Sequence, residues 1–325
     1  FYLQSLNSDY GTTAPSASTQ STTLTAETTI GAMSISVNSE TGFDDDQYAQ
    51  IGGGSDAEVI KIASNSPNTI TLDPIAHPNG LRKVHANGLT VEEVVAPFSH
   101  EIKRGSTIPE GITFLLRFTD INSAMLIRGN KVSNLTLNVD PSDLPTLDMN
   151  VVGKAFQILQ DDSTDSMFGS PTVISSTPYA HWEAVVKVDD TEQTENQFES
   201  LSVVIENTVQ GNFVVGSPIK GAITPGEGNV SGSFTYQYSN QDFADKTVAG
   251  AESALNFTWT YIGDDNHSLE IDIPKSKFEG NPHPGVSSKD PITDDKSFVG
   301  RLDSVSNSDV VVKYKSVHPT AEFPV

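Results

Sequence analysis

The side chains that could do chemistry in this sequence are its histidines and its short acidic runs. The seven histidines are scattered, without the spacing of a catalytic or metal-binding motif. No Gly-rich phosphate loop, H-E-x-x-H pair or G-x-S-x-G elbow occurs. Cysteine is absent, which excludes disulfides, thiolate metal sites and cysteine nucleophiles. We therefore expect all seven at the surface or in turns: His77, His85, His100, His181, His267, His283 and His318.

The acidic runs are candidates because closely spaced carboxylates can bind a divalent cation. Asp44-Asp45-Asp46 lacks the spaced ligands, the turn glycine and the distant glutamate of an EF-hand, so we interpret it as a solvated turn. Asp264-Asp265 lies between two predicted strands and is typical of a hairpin turn. Asp161-Asp162 and Asp294-Asp295 are interpreted as solvated loop acids. The sequence thus predicts no metal site, no cofactor and no catalytic residue, and a protein that is not an enzyme.

The composition indicates a folded but strongly acidic chain. Of its 325 residues 36% are hydrophobic and 8% aromatic, and the apolar residues come in short alternating runs. Lysine and arginine number 19 against 42 acids, so the net charge is −23, which disfavours binding to nucleic-acid phosphates. The acids are dispersed, which favours adaptation to molar salt, with an ordinary acidic protein as the alternative. No apolar run is long enough to span a membrane.

Almost every segment of the chain has the pattern of strands and turns. Between residues 22 and 90, short strands are predicted at 34–37, 48–51, 58–62 and 69–72, separated by Gly, Pro and Asn turns. This spacing is typical of a small barrel or sandwich. Further strands are predicted at 182–188, 199–206, 230–238, 256–261, 268–273 and 310–314, with one helix near 241–253.

The clearest pair of strands is 131–140 and 147–156, joined by a link that contains Pro141 and Pro145. Strict alternation puts Val132 on its polar face and Ser133 on its apolar face. The apolar face is expected to pack into the core and also carries Leu135, Leu137, Val139, Leu147, Met149 and Val151. The polar face is mildly acidic and carries Asn134, Thr136, Asn138, Asp140, Asp148 and Asn150.

Several segments of the chain carry motifs of one known protein family. The opening stretch 7–13, N-S-D-Y-G-T-T, is similar to that family's E-x-T-Y-G-T start, with Asp9 where the family often has Thr. Residues 127–137, I-R-G-N-K-V-S-N-L-T-L, resemble its G-x-K-V-(N/S)-x-L-T-L strand, and Gly153-Lys154 fits the end of the returning strand. Segments 110–114, 178–179, 203–207 and 269–274 also resemble the family, and all of these segments occur in the family's order along the chain. Residues 22–90, with T-I-T-L-D-P at 69–74, are similar to a small β module of viral structural proteins.

Together these segments resemble the tail tube proteins of long-tailed viruses, and the resemblance implies an all-β fold. Residues 1–18 and 91–325 would form a tail-tube-type β-sandwich or barrel with one flanking helix, and residues 22–90 an inserted small β-barrel or sandwich module. It also implies a virion structural protein, the major tail tube protein of a siphovirus-like virus, assembled in the host cytoplasm. The charge adds a haloarchaeal or other halophilic host to this prediction.

The same resemblance implies stacked hexameric rings whose tube conducts genome DNA into the host without binding it specifically. The expected partners are further copies of the chain, the tape-measure protein and other tail proteins, and not a membrane. The candidate lining of this channel is the polar hairpin face: Asn134, Thr136, Asn138, Asp140, Asp148 and Asn150.

Other functions stay open at this point. A tail terminator or distal tail subunit would have a similar fold and form a single ring. A halophile cell-surface adhesin built of two β modules would stay monomeric. A carbohydrate-active β-sandwich enzyme is disfavoured, because only two tryptophans and no convincing pair of carboxylates are present.

Overall fold

The computed structural model describes residues 9–53, 57–74, 76–77, 79–105, 111–118, 120–121, 123–160, 178–194, 198–224, 226–261, 266–282 and 292–317. In these residues the regular secondary structure is almost entirely β-strand. Strands of the first part are β1 (Asp9–Thr13), β2 (Ala17–Thr23), β3 (Ser34–Ser36), β4 (Tyr48–Ile51), β5 (Glu58–Ser66), β6 (Thr69–Leu72), β7 (Thr90–Val94) and β8 (Phe98–Lys103).

The middle part of the chain contains seven strands within the described ranges. They are β9 (Ile112–Phe118), β10 (Ser123–Val139), β11 (Thr146–Val152), β12 (Ala155–Gln160), β13 (Ala184–Val188), β14 (Thr191–Glu192) and β15 (Phe198–Glu206). A short 3-10 helix, His181–Glu183, precedes β13. The last part contains β16 (Gln210–Phe213), β17 (Lys220–Thr224), β18 (Asn229–Gln237), helix α1 (Asp242–Ala249), β19 (Glu252–Thr260), β20 (Ser268–Glu279), β21 (Thr293–Gly300) and β22 (Val311–Ser316).

The larger sheet has 14 strands and folds into a β-sandwich. Its path is β1-β8-β22-β20-β21-β18-β15-β10-β11, with β9 and β12 attached to β10 and with β13, β14 and β19 branching from β20. Strand β20 pairs with β22 near its start and with β21 at its end, so it connects the two layers. Alternation in the sequence fills the core from both layers, for example with Leu135, Phe234, Phe257 and Ile271.

Helix α1 packs on the sandwich through Phe243, whose ring lies 4.8 Å from that of Tyr236 and 5.3 Å from that of Phe278. The side chain of Asn240 accepts a hydrogen bond from the backbone N–H of Asp242 and so forms an Asx turn that leads into the helix. The helix ends at Gly250, which adopts the left-handed conformation with φ of 60°. The predicted helix near 241–253 is therefore shorter than expected, and its last residues begin β19.

A separate six-stranded sheet runs in the order β2-β7-β4-β5-β6-β3. Backbone hydrogen bonds from Thr25 to Ser36 and from Asn38 to Thr23 join its two outer strands and close it into a small barrel. The barrel encloses its own apolar core, which includes Ile60. A smaller cluster joins the barrel to the sandwich, where Tyr48, Val59 and Val94 pack with Phe98 of β8. The barrel's strands extend from residue 17 to residue 94, beyond the predicted 22–90 at both ends.

The structure corrects the sequence-based placement of several polar residues. His77 and His85 lie in the loop between β6 and β7 but are buried there, and His100 is buried in strand β8 rather than at the surface or in a turn. Asp294 lies in strand β21 and is buried, not in a solvated loop. The acids at 161–162 and 264–265 and the histidines at 283 and 318 lie outside the described residues. Within the described ranges, none of the helices has the length and apolar character needed to cross a membrane.

Candidate functional site

Strands β10 and β11 form the predicted hairpin and bring five of its six polar candidates together on one face. Asn150 Nδ2 donates a hydrogen bond of 2.6 Å to Asn134 Oδ1, and Asn138 Nδ2 donates one of 3.3 Å to Asp148 Oδ2. Asn134 and Asn150 are direct partners in the register, whereas Asn138 is opposite Thr146 and reaches Asp148 diagonally. The five are Asn134, Thr136 and Asn138 of β10 and Asp148 and Asn150 of β11.

Asp140, the sixth candidate, lies just after the end of β10 and is exposed. Its Oδ1 accepts hydrogen bonds from the hydroxyl and the backbone N–H of Ser142, at 2.5 and 2.8 Å. These two hydrogen bonds lower the pKa of Asp140, because both stabilise the ionised carboxylate. Asp140 therefore shapes the turn that leads to β11 and is not part of the sheet face.

A β-bulge changes which side chains of β10 face the core. The register between β10 and β11 shifts between Val132 and Asn134, so that Ser133 is the extra residue. Val132 is fully buried, although strict alternation places it on the polar face. Beyond the bulge the expected alternation continues, and the polar side chain of Asn134 faces away from the core.

The apolar face of the hairpin is only partly covered within a single chain. Leu135 and Leu137 are buried as expected, whereas Leu147 and Val151 remain substantially exposed. The reason is that β11 is the last strand of the sheet's path, so that no further strand covers it among the described residues.

The polar side of the hairpin continues across three neighbouring strands. Directly paired residues of antiparallel strands point to the same face, so each row of partners can be followed from β10 to β21. The row through Asn138 contains Ser202, Ser233 and Ser297. Other rows add Thr146, Ser200, Val204, Glu206, Asn229, Ser231, Thr235, Asp295 and Val299. We call these residues, with the five of the hairpin, the polar face.

The polar face consists mostly of serine, threonine and asparagine, with three acids and no lysine or arginine at these positions. Two lysines adjoin it on the same side of the sheet: Lys131, opposite Val152 at the end of the hairpin, and Lys277, opposite Val299 on β20. Its side chains bind each other. The hydroxyl of Ser202 donates to Asn138 Oδ1 at 2.9 Å, and that of Thr235 donates to Asp295 Oδ1 at 2.6 Å. A surface of neutral groups and carboxylates can be hydrated, but it offers no cation to a phosphate.

The first half of β10 forms a three-stranded extension with β9 and β12, and one face of this extension is apolar. Met125 pairs with Leu116 on one side and with Ile158 on the other. Phe156 and Ile158 keep 69% and 60% of their surface exposed. Apolar patches of this kind mark interaction surfaces in folded proteins. We call the following residues the extension patch: Phe114, Leu116, Phe118, Met125, Ile127, Phe156 and Ile158.

The buried ionisable residues of the small barrel have structural partners. His85 Nε2 lies 2.9 Å from Glu58 Oε2, and the carboxylate of Glu58 also accepts hydrogen bonds from the backbone N–H groups of Arg82 and Lys83. Burial acts to raise the pKa of Glu58, but these hydrogen bonds outweigh it and lower the pKa. In the described part of the chain, no three histidine or acidic side chains are grouped so as to hold a metal ion.

Comparison with protein families gives the context of these surfaces. The model of a family described as phage tail tube protein matches residues 5–300. The chain belongs to the phage tail tube protein family. As a tail tube family member it is a structural component of the virion, and it assembles with further copies and with other tail proteins. A comparison with curated proteins finds none that matches.

Sequence reasoning identified only the hairpin part of the tail tube chain's polar face. The alternating Ser200 and Ser202, and Ser231, Ser233 and Thr235, were visible signals of a polar strand face. The extension patch also had a signal, since apolar residues occupy every second position from 114 to 118. Neither pattern says which strands are neighbours, so neither surface could be assembled from the sequence.

Proposed function

We propose that copies of this chain form stacked six-membered rings, and that their polar faces together line a channel through which genome DNA passes. The observation that carries this proposal is the polar face itself, which spans five adjacent strands and has no base at its own positions, with Lys131 and Lys277 only at its margins. Each cation that pairs with a phosphate adds to the affinity for DNA. A wall of hydroxyls, amides and a few carboxylates lets the duplex slide, because it has no such cation.

Strand spacing is compatible with a channel of the required width. If the five strands β11, β10, β15, β18 and β21 of six copies lie side by side at about 4.8 Å per strand, they form a ring of about 144 Å in circumference and about 46 Å in diameter between backbones. Side chains reduce this width but leave room for a duplex. Joining the sheets in this way also pairs the open edge of β11, which would otherwise be a site for uncontrolled association.

The extension patch is a second surface that supports assembly. Phe156 and Ile158 are more exposed than large apolar side chains usually are in a protein that stays monomeric. We infer that this face packs against another copy in the tube. Contact with the tape-measure protein is assigned to the channel side, because that protein would occupy the lumen before ejection.

The small barrel is proposed as an inserted module on the outside of the tube, between the tube-domain segments 1–18 and 91–325. Its separate core supports this assignment. The dispersed charge of −23 supports a halophilic virus that infects a haloarchaeon or another halophile, because repulsion between copies is screened in molar salt.

Electron microscopy of the purified protein in molar salt tests the proposal. Long tubes with a central channel are the expected result. Single rings would favour a terminator or distal tail subunit, and monomers at every concentration would contradict the proposed stacked rings. A reconstruction with Asn134, Asn138 and Asn150 on the outer surface would overturn the assignment of the channel even if tubes form.

A further inference from the structure

The hairpin of β16 and β17 carries exposed apolar side chains at its tip. Phe213 keeps 68% of its surface exposed, Val215 is fully exposed, and Val214 between them is half exposed. Gly216, with φ of 86°, makes the turn that follows. Three consecutive apolar side chains in water have no function in a monomer, so they indicate a contact site.

Charge distinguishes this hairpin from the rest of the chain. No acid occurs between Glu206 and Glu227, although the chain contains 42 acids. The only charged residue in this stretch is Lys220, whose Nζ lies 5.8 Å from the centre of the Phe213 ring. Copies with a charge of −23 repel each other, so their contacts are least costly where acids are absent.

A matching surface lies beside the edge strand β11. There an apolar cavity of about 230 Å³ opens between the two layers of the sandwich, and none of the described side chains that line it is charged. Leu137 and Ile205 form its floor on one layer, and Leu269 contributes from the other. Leu147, at the open edge, also lines the cavity and is nearly half exposed.

We propose that the tip of this hairpin inserts Val215 and its apolar neighbours into the cavity beside Leu147 of a second copy. The hairpin is anchored near Val152, about 17 Å along β11 from Leu147 at about 3.3 Å per residue. Because Val215 is fully exposed, it does not fill the cavity of its own chain. A contact between two different surfaces is head-to-tail, and repeated from copy to copy it builds a ring when its rotation closes.

The inference rests on the proposed self-assembly and adds which surfaces meet. Disulfide cross-linking tests it directly, because the chain contains no cysteine. Two single variants, Val215→Cys and Leu147→Cys, are mixed, assembled in molar salt and oxidised. We expect a disulfide-linked dimer on a non-reducing gel only in the mixture. Val305→Cys, which is similarly exposed but lies away from the cavity, is the matched control and should not link to the Leu147→Cys variant.

A second variant gives an independent measure. Val215→Asp should raise the concentration needed for assembly by about tenfold, roughly the effect of no longer burying one valine, whereas Val305→Asp should leave it unchanged. Both positions are exposed, so both variants should fold, which their melting temperatures verify. If tubes form but neither the cross-link nor the assembly defect appears, this inference is wrong while the tail tube function stands. If the native chain does not assemble at all, both are wrong.

Discussion

The ammonium group of Lys296 lies 2.7 Å from the carboxylate of Asp294, and both side chains are buried in the sandwich. Lys296 also donates a hydrogen bond to the backbone carbonyl of Asn281, and the hydroxyl of Tyr236 donates one of 3.2 Å to Asp294. Burial and the negative charge of Asp294 raise the pKa of Tyr236, so its hydroxyl keeps its proton and remains a donor. The two charges compensate each other only as long as both are present.

Removing one member of this pair should destabilise the fold strongly. Asp294→Asn is expected to lower the free energy of unfolding by about 3–5 kcal/mol, because it leaves Lys296 charged and buried without its partner. Replacing both, as Asp294→Asn with Lys296→Met, should recover part of the loss. Denaturant unfolding measures these changes. The matched control is Asp295→Asn at the exposed neighbouring position, and an equal loss there would contradict the argument.

A buried histidine should make the stability depend on pH. His77 Nε2 accepts a hydrogen bond of 2.8 Å from the backbone N–H of Lys61, which requires an unprotonated nitrogen. Burial lowers the pKa of His77 to about 4, from about 6.5 in the unfolded chain. Between these values the unfolded chain binds more protons, so the stabilisation is complete above pH 6.5 and is lost as the pH falls to 4, by about 3 kcal/mol.

Unfolding measured at a series of pH values in constant salt tests this dependence. His77→Gln, which keeps an acceptor but does not titrate, should flatten the slope between pH 6.5 and 4. An unchanged slope in the His77→Gln variant would show that other groups cause the dependence.

A base on the polar face should give the channel an affinity for DNA. Asn150→Arg adds six positive charges to each six-membered ring, and the side chain at this position is exposed. Tubes of this variant should bind a short labelled duplex, with an affinity that falls steeply as salt rises. Native tubes and Asn150→Gln tubes should not bind it. Val305→Arg adds the same charge outside the polar face, and equal binding by that variant would argue against the channel assignment.

The charge of the chain should make its stability depend on salt. The Debye length increases from about 3 Å at 1 M to about 10 Å at 0.1 M salt, so repulsion among the acids acts over longer distances at low salt. We expect a lower melting temperature and dissociated rings at low salt. Sucrose at equal osmolality should not replace the salt if screening is the cause. The same melting temperature at both salt concentrations would be evidence against a halophilic origin.

Removing the small barrel should leave tube formation intact. Thr13 and Ser99 are direct partners in the pairing of β1 with β8, so a short Gly/Ser linker can replace residues 17–94. Phe98→Ser is included, because Phe98 loses its contacts with Tyr48 and Val59. We expect tubes of smaller outer diameter by electron microscopy. Folded monomers that form no tubes would mean that the barrel takes part in assembly.

Local patterns in the sequence determined much of the β-structure. Alternation of polar and apolar residues located β4 and β6 at their observed bounds and paired the strands of the β10–β11 hairpin, because side-chain direction along a strand depends only on neighbouring residues. The sequence did not predict strand β21, because a local pattern cannot show which charged residues are buried. The sequence near Asp294 indicates a solvated acid, because nothing local shows that its charge is paired with that of Lys296 inside the core.

The tertiary structure alone decided which surfaces these strands build. Ser202, Ser233 and Ser297 lie far apart in the sequence, and only the pairing of β15, β18 and β21 places them in one row with Asn138. The bulge at Ser133 likewise turned Val132 into the core, against the strict alternation of the sequence. Register and burial are set by contacts between distant segments, so a single strand's pattern can give a polar face but cannot give its neighbours.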